Sequence, residues 1–318
     1  MIHVMTIEDL KYMLSLSKTL RSGYSPAVFP KGPEPSGEGR QASRDALSKL
    51  GFVDDAALSA KGRAITDALL APEKMVQTIN AALMDNGPVC YCYKNGFWVI
   101  YCPDIQYKLC TVISPVFQAQ IEEMARQNLL HGLRLPAFES FGTELTEIEA
   151  VILRLTDLVI AKCFEKKEAP LTEDESWFSI DDIYFFRNLA DVTAMILPFG
   201  EAESKRILGA LGDVGMHKQA VRGLVEKGLL ECAGSGETFR LRHGAPARKW
   251  LLSDQTVDQI ALTGIYPPSD SRLYRITRAG ILKMTDEGGK IQITSVPDLD
   301  YSLFDSGKEP PVSVDASG

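Results

Sequence analysis

The side chains best suited to chemistry in this chain are its cysteines. Cys90, Cys92, Cys102 and Cys110 lie close together, with Cys163 and Cys232 further on. Thiolates grouped in this way could ligate zinc. Structural zinc sites, however, draw on paired C-x-x-C knuckles, and here the spacing is C-x-C followed by gaps of nine and seven residues. Cys90 and Cys92 stand two apart in a segment of strand character, so they share one of its faces. Small apolar core residues would be spaced identically, and the cysteines are read as core.

The other candidate groups are scattered. His3, His131, His217 and His243 are far apart in sequence, and none falls in H-E-x-x-H. Asp54-Asp55 and Asp181-Asp182 could supply paired carboxylates, but Asp181-Asp182 also fits a helix start, where the macrodipole favours acids. There is no G-x-S-x-G elbow, Walker loop or dinucleotide fingerprint. The chain is therefore expected not to be an enzyme, and no catalytic residue, cofactor or metal is assigned.

The remaining candidate chemistry is electrostatic. Residues 201–250 hold nine Lys/Arg against six Asp/Glu, although the whole chain carries a net charge of −8. The stretch 201–242 reads as helix, turn, helix, a stop at Gly228, strand, a Gly234-Ser235-Gly236 wing, and strand. A winged-helix regulator with this layout would meet DNA through His217, Lys218 and Arg222 on its second helix, and through Arg240, Arg242, Arg248 and Lys249 near the wing. A solvated helix face has the same composition. DNA binding is therefore the alternative reading.

The elements that would hold these residues follow from periodicity and punctuation. A helix is expected from Thr6 to Leu20, capped by Thr6, then a Pro/Gly-rich loop from Gly23 to Gly39, whose Tyr24 to Phe29 form a candidate contact. Helices follow at Gln41–Leu50, stopped by Gly51, at Leu58–Leu70, and at Glu73–Met84 after Pro72. Strands are expected at Val89–Tyr93, Phe97–Cys102 and Tyr107–Ile113, turning at Asn95-Gly96. The middle is helical, over Phe117–Leu130, Glu144–Lys166 and Ser179–Leu197, with Thr146 and Glu149 matching a capping box. Beyond it lie helices at Glu201–Leu211, His217–Lys227, Pro246–Leu252 and Asp254–Leu262. Strands are expected at Leu229–Ala233, Thr238–Arg242, Tyr274–Ile276, Ile281–Met284 and Lys290–Val296.

That order runs twice. Leu47-Ser48-Lys49-Leu50-Gly51-Phe52 pairs with Leu224-Val225-Glu226-Lys227-Gly228-Leu229, a helix closed by glycine and followed by an apolar residue. Helical sequence and a three-strand meander follow in both halves, ending in Lys108-Leu109-Cys110-Thr111-Val112 and Lys290-Ile291-Gln292-Ile293-Thr294. The expected fold is α+β. Two related lobes each place helices before an antiparallel three-strand meander, and a central helical region joins them. The expected boundaries are 1–115 for the first lobe, 116–178 for the helical connector, 179–304 for the second lobe, and 305–318 for a disordered tail.

The Thr6-Ile7-Glu8-Asp9-Leu10 helix start, the Pro-rich loop, Leu50-Gly51-Phe52, Leu58-Ser59, Pro72 and the meander together resemble the EspG family. These are cytosolic chaperones of mycobacterial ESX (type VII) secretion. The likeness covers about 110 residues of the N-terminal half well and the C-terminal half loosely. It implies a quasi-twofold molecule that binds the tip of a helical PE–PPE substrate pair. The expected function is thus a chaperone-like protein that binds a secreted helical partner. No 18-residue apolar run and no signal-peptide pattern are present, so a cytoplasmic location without membrane contact is expected.

Overall fold

The computed structural model describes residues 1–22, 25, 37–55, 57–80, 87–130, 133–164, 214–234, 240–252, 256–267, 271–287 and 289–305. The fold is α+β, and its strands lie in antiparallel ladders. Two compact units divide it: Met1–Leu133 with Ile260–Arg272 and Asp300–Gly318, and Arg134–Gln259 with Leu273–Leu299.

The first unit opens with β1 (Ile2–Thr6), α1 (Ile7–Ser15) and α2 (Gly37–Lys49). The short strands β2 (Val53–Asp54) and β3 (Ala57–Leu58) follow, then α3 (Ala60–Leu70). Next come β4 (Lys74–Asn80), β5 (Val89–Lys94), β6 (Phe97–Asp104), β7 (Leu109–Val116) and α4 (Gln118–Leu130). Its strands are ordered β1-β7-β6-β5-β4-β11, and β11 (Thr256–Tyr266) arrives from far down the chain to pair Ile260–Tyr266 with β4.

Local chemistry fixes these elements. Thr6 caps α1 reciprocally with Asp9: the Asp9 amide donates to Thr6 Oγ1 at 3.0 Å, and the Thr6 amide donates to Asp9 Oδ2 at 3.1 Å. Gly51, at φ +72°, ends α2. Its amide donates to Ser48 O at 3.0 Å, and that of Phe52 donates to Leu47 O at 2.9 Å, so the last carbonyls of the helix are satisfied. Helices α1 to α3 cover one face of the sheet, burying Met13, Leu47, Phe52 and Leu69 against Cys92, Val99 and Val112. On the other face Tyr91 and Trp98 are buried, and the ring of Phe304, from the turn Tyr301–Phe304, packs edge-on against both. Trp98 Nε1 donates to Gln118 Oε1 on α4, and Gln118 Nε2 in turn donates to Phe304 O.

The second unit begins with β8 (Gly142–Thr146) and α5 (Glu147–Phe164), and continues with α6 (Val214–Glu226), β9 (Leu230–Ala233) and β10 (Arg240–His243). A π-helical turn, Ala247–Leu251, precedes β11, and then come β12 (Ser271–Thr277), β13 (Gly280–Asp286) and β14 (Lys290–Val296). Its ladder runs β12-β13-β14-β8, and β9 pairs with β10 in a separate hairpin. Thr146 and Glu149 form a capping box on α5. Gly228, at φ +69°, ends α6: its amide donates to Val225 O and that of Leu229 to Leu224 O. The core joins Val151, Ile152 and Leu155 of α5 and Leu224 of α6 to Leu282, Met284, Ile291 and Ile293.

Several sequence expectations are corrected. The segment expected as a helix over Glu73–Met84 is strand β4 as far as Asn80, and the helix expected over Asp254–Leu262 belongs to strand β11. Helix α1 stops at Ser15 rather than Leu20, α5 starts at Glu147 behind a strand, and Pro246–Leu252 holds only one π-helical turn. Thr6 of β1 faces Leu109 of β7, and Thr146 of β8 faces Lys290 of β14. The helices expected at Ser179–Leu197 and Glu201–Leu211 and the tail from 306 lie outside the described residues.

Candidate functional site

A strip of apolar side chains lies uncovered on the first unit. Along β1, His3 and Met5 turn into the core, so Ile2, Val4 and Thr6 face the opposite side of the sheet. Ile2 is 69% exposed and Val4 58%. Register places Ile2 beside Ile113 of β7 and then Ile100 of β6, and places Val4 beside Thr111 and then Cys102. Nearby in the chain, the turn between β6 and β7 exposes Ile105 and Tyr107, and Phe117 is exposed ahead of α4. The β5–β6 part of this sheet face is closed by Phe304 and α4, and the β1–β7 edge is left open. Among the described residues β1 pairs with β7 alone, so its other edge also presents free backbone groups.

Three of the cysteines, Cys90, Cys92 and Cys110, occupy the core as expected, whereas Cys102 is half-buried and Cys232 is exposed. Cys90, Cys92 and Cys110 are buried with Val99 and Val112 beneath the helices, and no group of His, Cys, Asp and Glu among the described residues is arranged to hold a metal ion. Burial pushes the thiols of Cys90 and Cys110 up to about 12 and that of Cys102 up to about 11. Cys92 is raised well above its ordinary value for the same reason. These thiols stay protonated, which suits packing and opposes ligation or nucleophilic attack. His3 packs edge-on against Phe52, with its pKa lowered first by burial and then by the charge of Lys61. His243 is buried in the second unit. Asp54 and Asp55 are exposed beside the β2–β3 turn, whereas His131 and Asp181-Asp182 lie outside the described residues.

Of the six basic residues singled out for DNA contact, Lys218 and Arg222 stand one turn apart on the exposed face of α6, and Arg240 is exposed on β10. The other three are engaged within the fold. Arg242 Nε pairs with Glu231 Oε2 at 2.6 Å across the β9–β10 hairpin, Arg248 Nη1 donates to His243 O at 2.7 Å, and Lys249 pairs with Glu139. His217 lies in α6, but its side chain is outside the described residues, as are the wing residues 235–239 and the contact candidates Tyr24 and 26–29.

No family model and no curated protein matches the chain. Among solved structures, it is similar to the Mycobacterium tuberculosis type VII secretion system chaperone EspG5, solved in complex with a PE25–PPE41 dimer. The match covers 92% of this chain and 90% of that one, at 11% sequence identity and a TM-score of 0.42. A likeness that loose carries no argument about function.

Sequence reasoning missed the uncovered face because it missed β1. Its Ile-His-Val-Met alternation was an available strand signal, but its partner β7 lies more than a hundred residues away.

Proposed function

We propose that this protein is a non-enzymatic, chaperone-like partner-binding protein. It holds a helical substrate of a type VII-like secretion system in the cytoplasm before export. The observation that carries the reading is the open β1–β7 face, where Ile2 and Val4 lie exposed beside Ile113. Covering an Ile or Val side chain stabilises a complex by about 1.5–3 kcal/mol each, and contiguous exposed apolar side chains mark interaction sites.

The finer fold reading belongs with this proposal: the two units are copies of one lobe. Supporting it are the capping boxes at Thr6/Asp9 and Thr146/Glu149 and the matched helix stops at Gly51 and Gly228. After each stop the chain returns identically. The Ser59 amide donates to Phe52 O and the Arg63 amide to Ser59 O, just as the Gly244 amide donates to Leu229 O and the Arg248 amide to Gly244 O. In both units the opening strand pairs with the closing one.

The test is co-purification from the native cell with the wild-type chain and with Val4→Asp, a change on an exposed edge position that leaves the core intact. The expected result is a stoichiometric helical protein, also found outside the cell, held about tenfold or more weakly by Val4→Asp. Undiminished capture by Val4→Asp, or salt-dependent duplex binding in place of any protein partner, overturns the proposal.

A further inference from the structure

The bonds that β1 makes to β7 determine which of its backbone groups are left for a further strand. Met1 and Ser114 exchange bonds across the ladder: the Ser114 amide donates to Met1 O at 3.0 Å, and the Met1 amine donates to Ser114 O at 3.2 Å. Past the other end of β1, the Ile7 amide donates to Lys108 O at 3.0 Å. Bonded and non-bonded pairs alternate in an antiparallel ladder, so in this register His3 and Met5 also bond to β7. The amides and carbonyls of Ile2, Val4 and Thr6 therefore point away from the sheet. The Thr6 amide is already engaged, since it donates to Asp9 Oδ2 in the α1 cap. Among the described residues, the complete donor–acceptor sets left on this edge are those of Ile2 and Val4.

The strand carries none of the features that keep an edge from pairing. Ile2-His3-Val4-Met5-Thr6 contains no Pro, Lys, Arg, Asp or Glu, and charge and proline are the usual devices for protecting an edge. Strand β8, the last in the ladder of the second unit, does carry a charge: its Glu144 pairs with Lys290.

We infer that β1 is an interface between two copies of this chain, formed by antiparallel pairing of their β1 strands about a twofold axis at His3. In that register Ile2 lies opposite Val4 of the second copy, and the outward N–H and C=O groups of both residues all find partners. A twofold axis at Val4 would instead set Ile2 opposite Thr6, whose amide the Asp9 carboxylate already holds, so bonds would be lost. The side chains agree with the first register. Ile2 and Val4, both exposed and on the same face, would lie against Val4 and Ile2 of the second copy, apolar against apolar. A twofold contact needs a patch that is complementary to itself. This edge meets that condition in its donors, its acceptors and its apolar side chains, which selects a second copy over an unrelated extended segment. A strand of five residues makes a small contact, so the dimer is weak and reversible. The inference goes beyond the partner-binding reading and does not depend on it, because it uses the backbone edge of β1.

The experiment is sedimentation velocity on the full chain with an unmodified amino terminus, from about 1 to about 500 µM, combined with amide hydrogen exchange at Ile2 and Val4. Wild type is expected to shift reversibly from monomer to dimer, and both amides to exchange more slowly as concentration rises. Val4→Pro deletes an outward N–H without removing a β1–β7 bond, a position at which an edge strand tolerates proline. It is expected to raise the dissociation constant about tenfold or more. A wild type that stays monomeric throughout overturns the proposal. So does a dimer that folded Val4→Pro forms equally well, or one in which the Ile2 and Val4 amides exchange at a rate independent of concentration. Should Val4→Pro fail to fold, Ile2→Glu, at a position 69% exposed, takes its place under the same criterion. A monomeric wild type would leave the partner-binding reading standing, since that is decided by capture with Val4→Asp.

Discussion

Acid should unfold this protein partly through one buried imidazole. His243 on β10 is 4% exposed, and its Nε2 lies 2.7 Å from Thr156 Oγ1. The Thr156 hydroxyl donates to Leu153 O, so it accepts from the ring, which assigns the proton of the neutral imidazole to Nε2. Burial is the main cause that lowers the pKa from 6.5 to about 4; Asp157 opposes the shift and Arg248 assists it. With the folded value depressed, the unfolded chain takes up a proton as pH falls through 6.5 and the folded chain does not until about 4. Stability is therefore retained above 6.5 and lost between those limits, by about 3 kcal/mol at roughly 1.36 kcal/mol per pH unit. Urea unfolding of wild type and His243→Gln at pH 7, 5.5 and 4 isolates this contribution from that of the carboxylates. The wild-type advantage over the variant should shrink by about 3 kcal/mol from pH 7 to pH 4. A difference that does not change with pH would refute the reasoning.

Three further outcomes follow from packing. A Cβ on Gly62 would lie 2.1 Å from Phe52 O, and one on Gly244 2.0 Å from Gly228 O, whereas Gly37 has open space around it. Gly62→Ala and Gly244→Ala should each cost about 2 kcal/mol or more and Gly37→Ala almost nothing, measured by denaturant midpoint. Phe304→Ala removes a fully buried ring held by Tyr91 and Trp98. It should cost about 3–5 kcal/mol and alter Trp98 fluorescence. Cys232 is exposed while Cys90 and Cys92 are buried, with their thiols raised. A thiol reagent at pH 8 should modify Cys232 in the native protein and leave Cys90 and Cys92 unmodified until denaturant is added.

How much of this was legible in the sequence depended on whether the signal was local. The stops at Gly51 and Gly228, the Asn95-Gly96 hairpin and the Thr6 and Thr146 caps were all readable, because each is decided within a few residues. Strand β4 was misread because Met75 and Val76 are adjacent and both buried, one on each face of the sheet. A short strand buried on both faces has no alternation to separate it from a helix. In β11, Ile260 and Ala261 also fit a helical stripe, and only pairing with β4 decides the matter. The meeting of Arg154 and Arg275 at one cavity left no trace in the sequence, since they come together only once the second unit is folded. The open face of the first unit was hidden for the same reason, as it depends on which part of the sheet Phe304 and α4 happen to close.

The first unit takes its sixth strand and the Phe304 ring from the far end of the chain. On the ribosome, residues 1 to 133 therefore emerge with the outer edge of β4 bare and with Tyr91 and Trp98 lacking one of their neighbours, until Ile260–Tyr266 and then Phe304 have been made. Maturation of the amino-terminal half is thus tied to the synthesis of residues 260–304, and a protein cut short anywhere before residue 260 would offer an unpaired, aggregation-prone strand in place of a finished sheet.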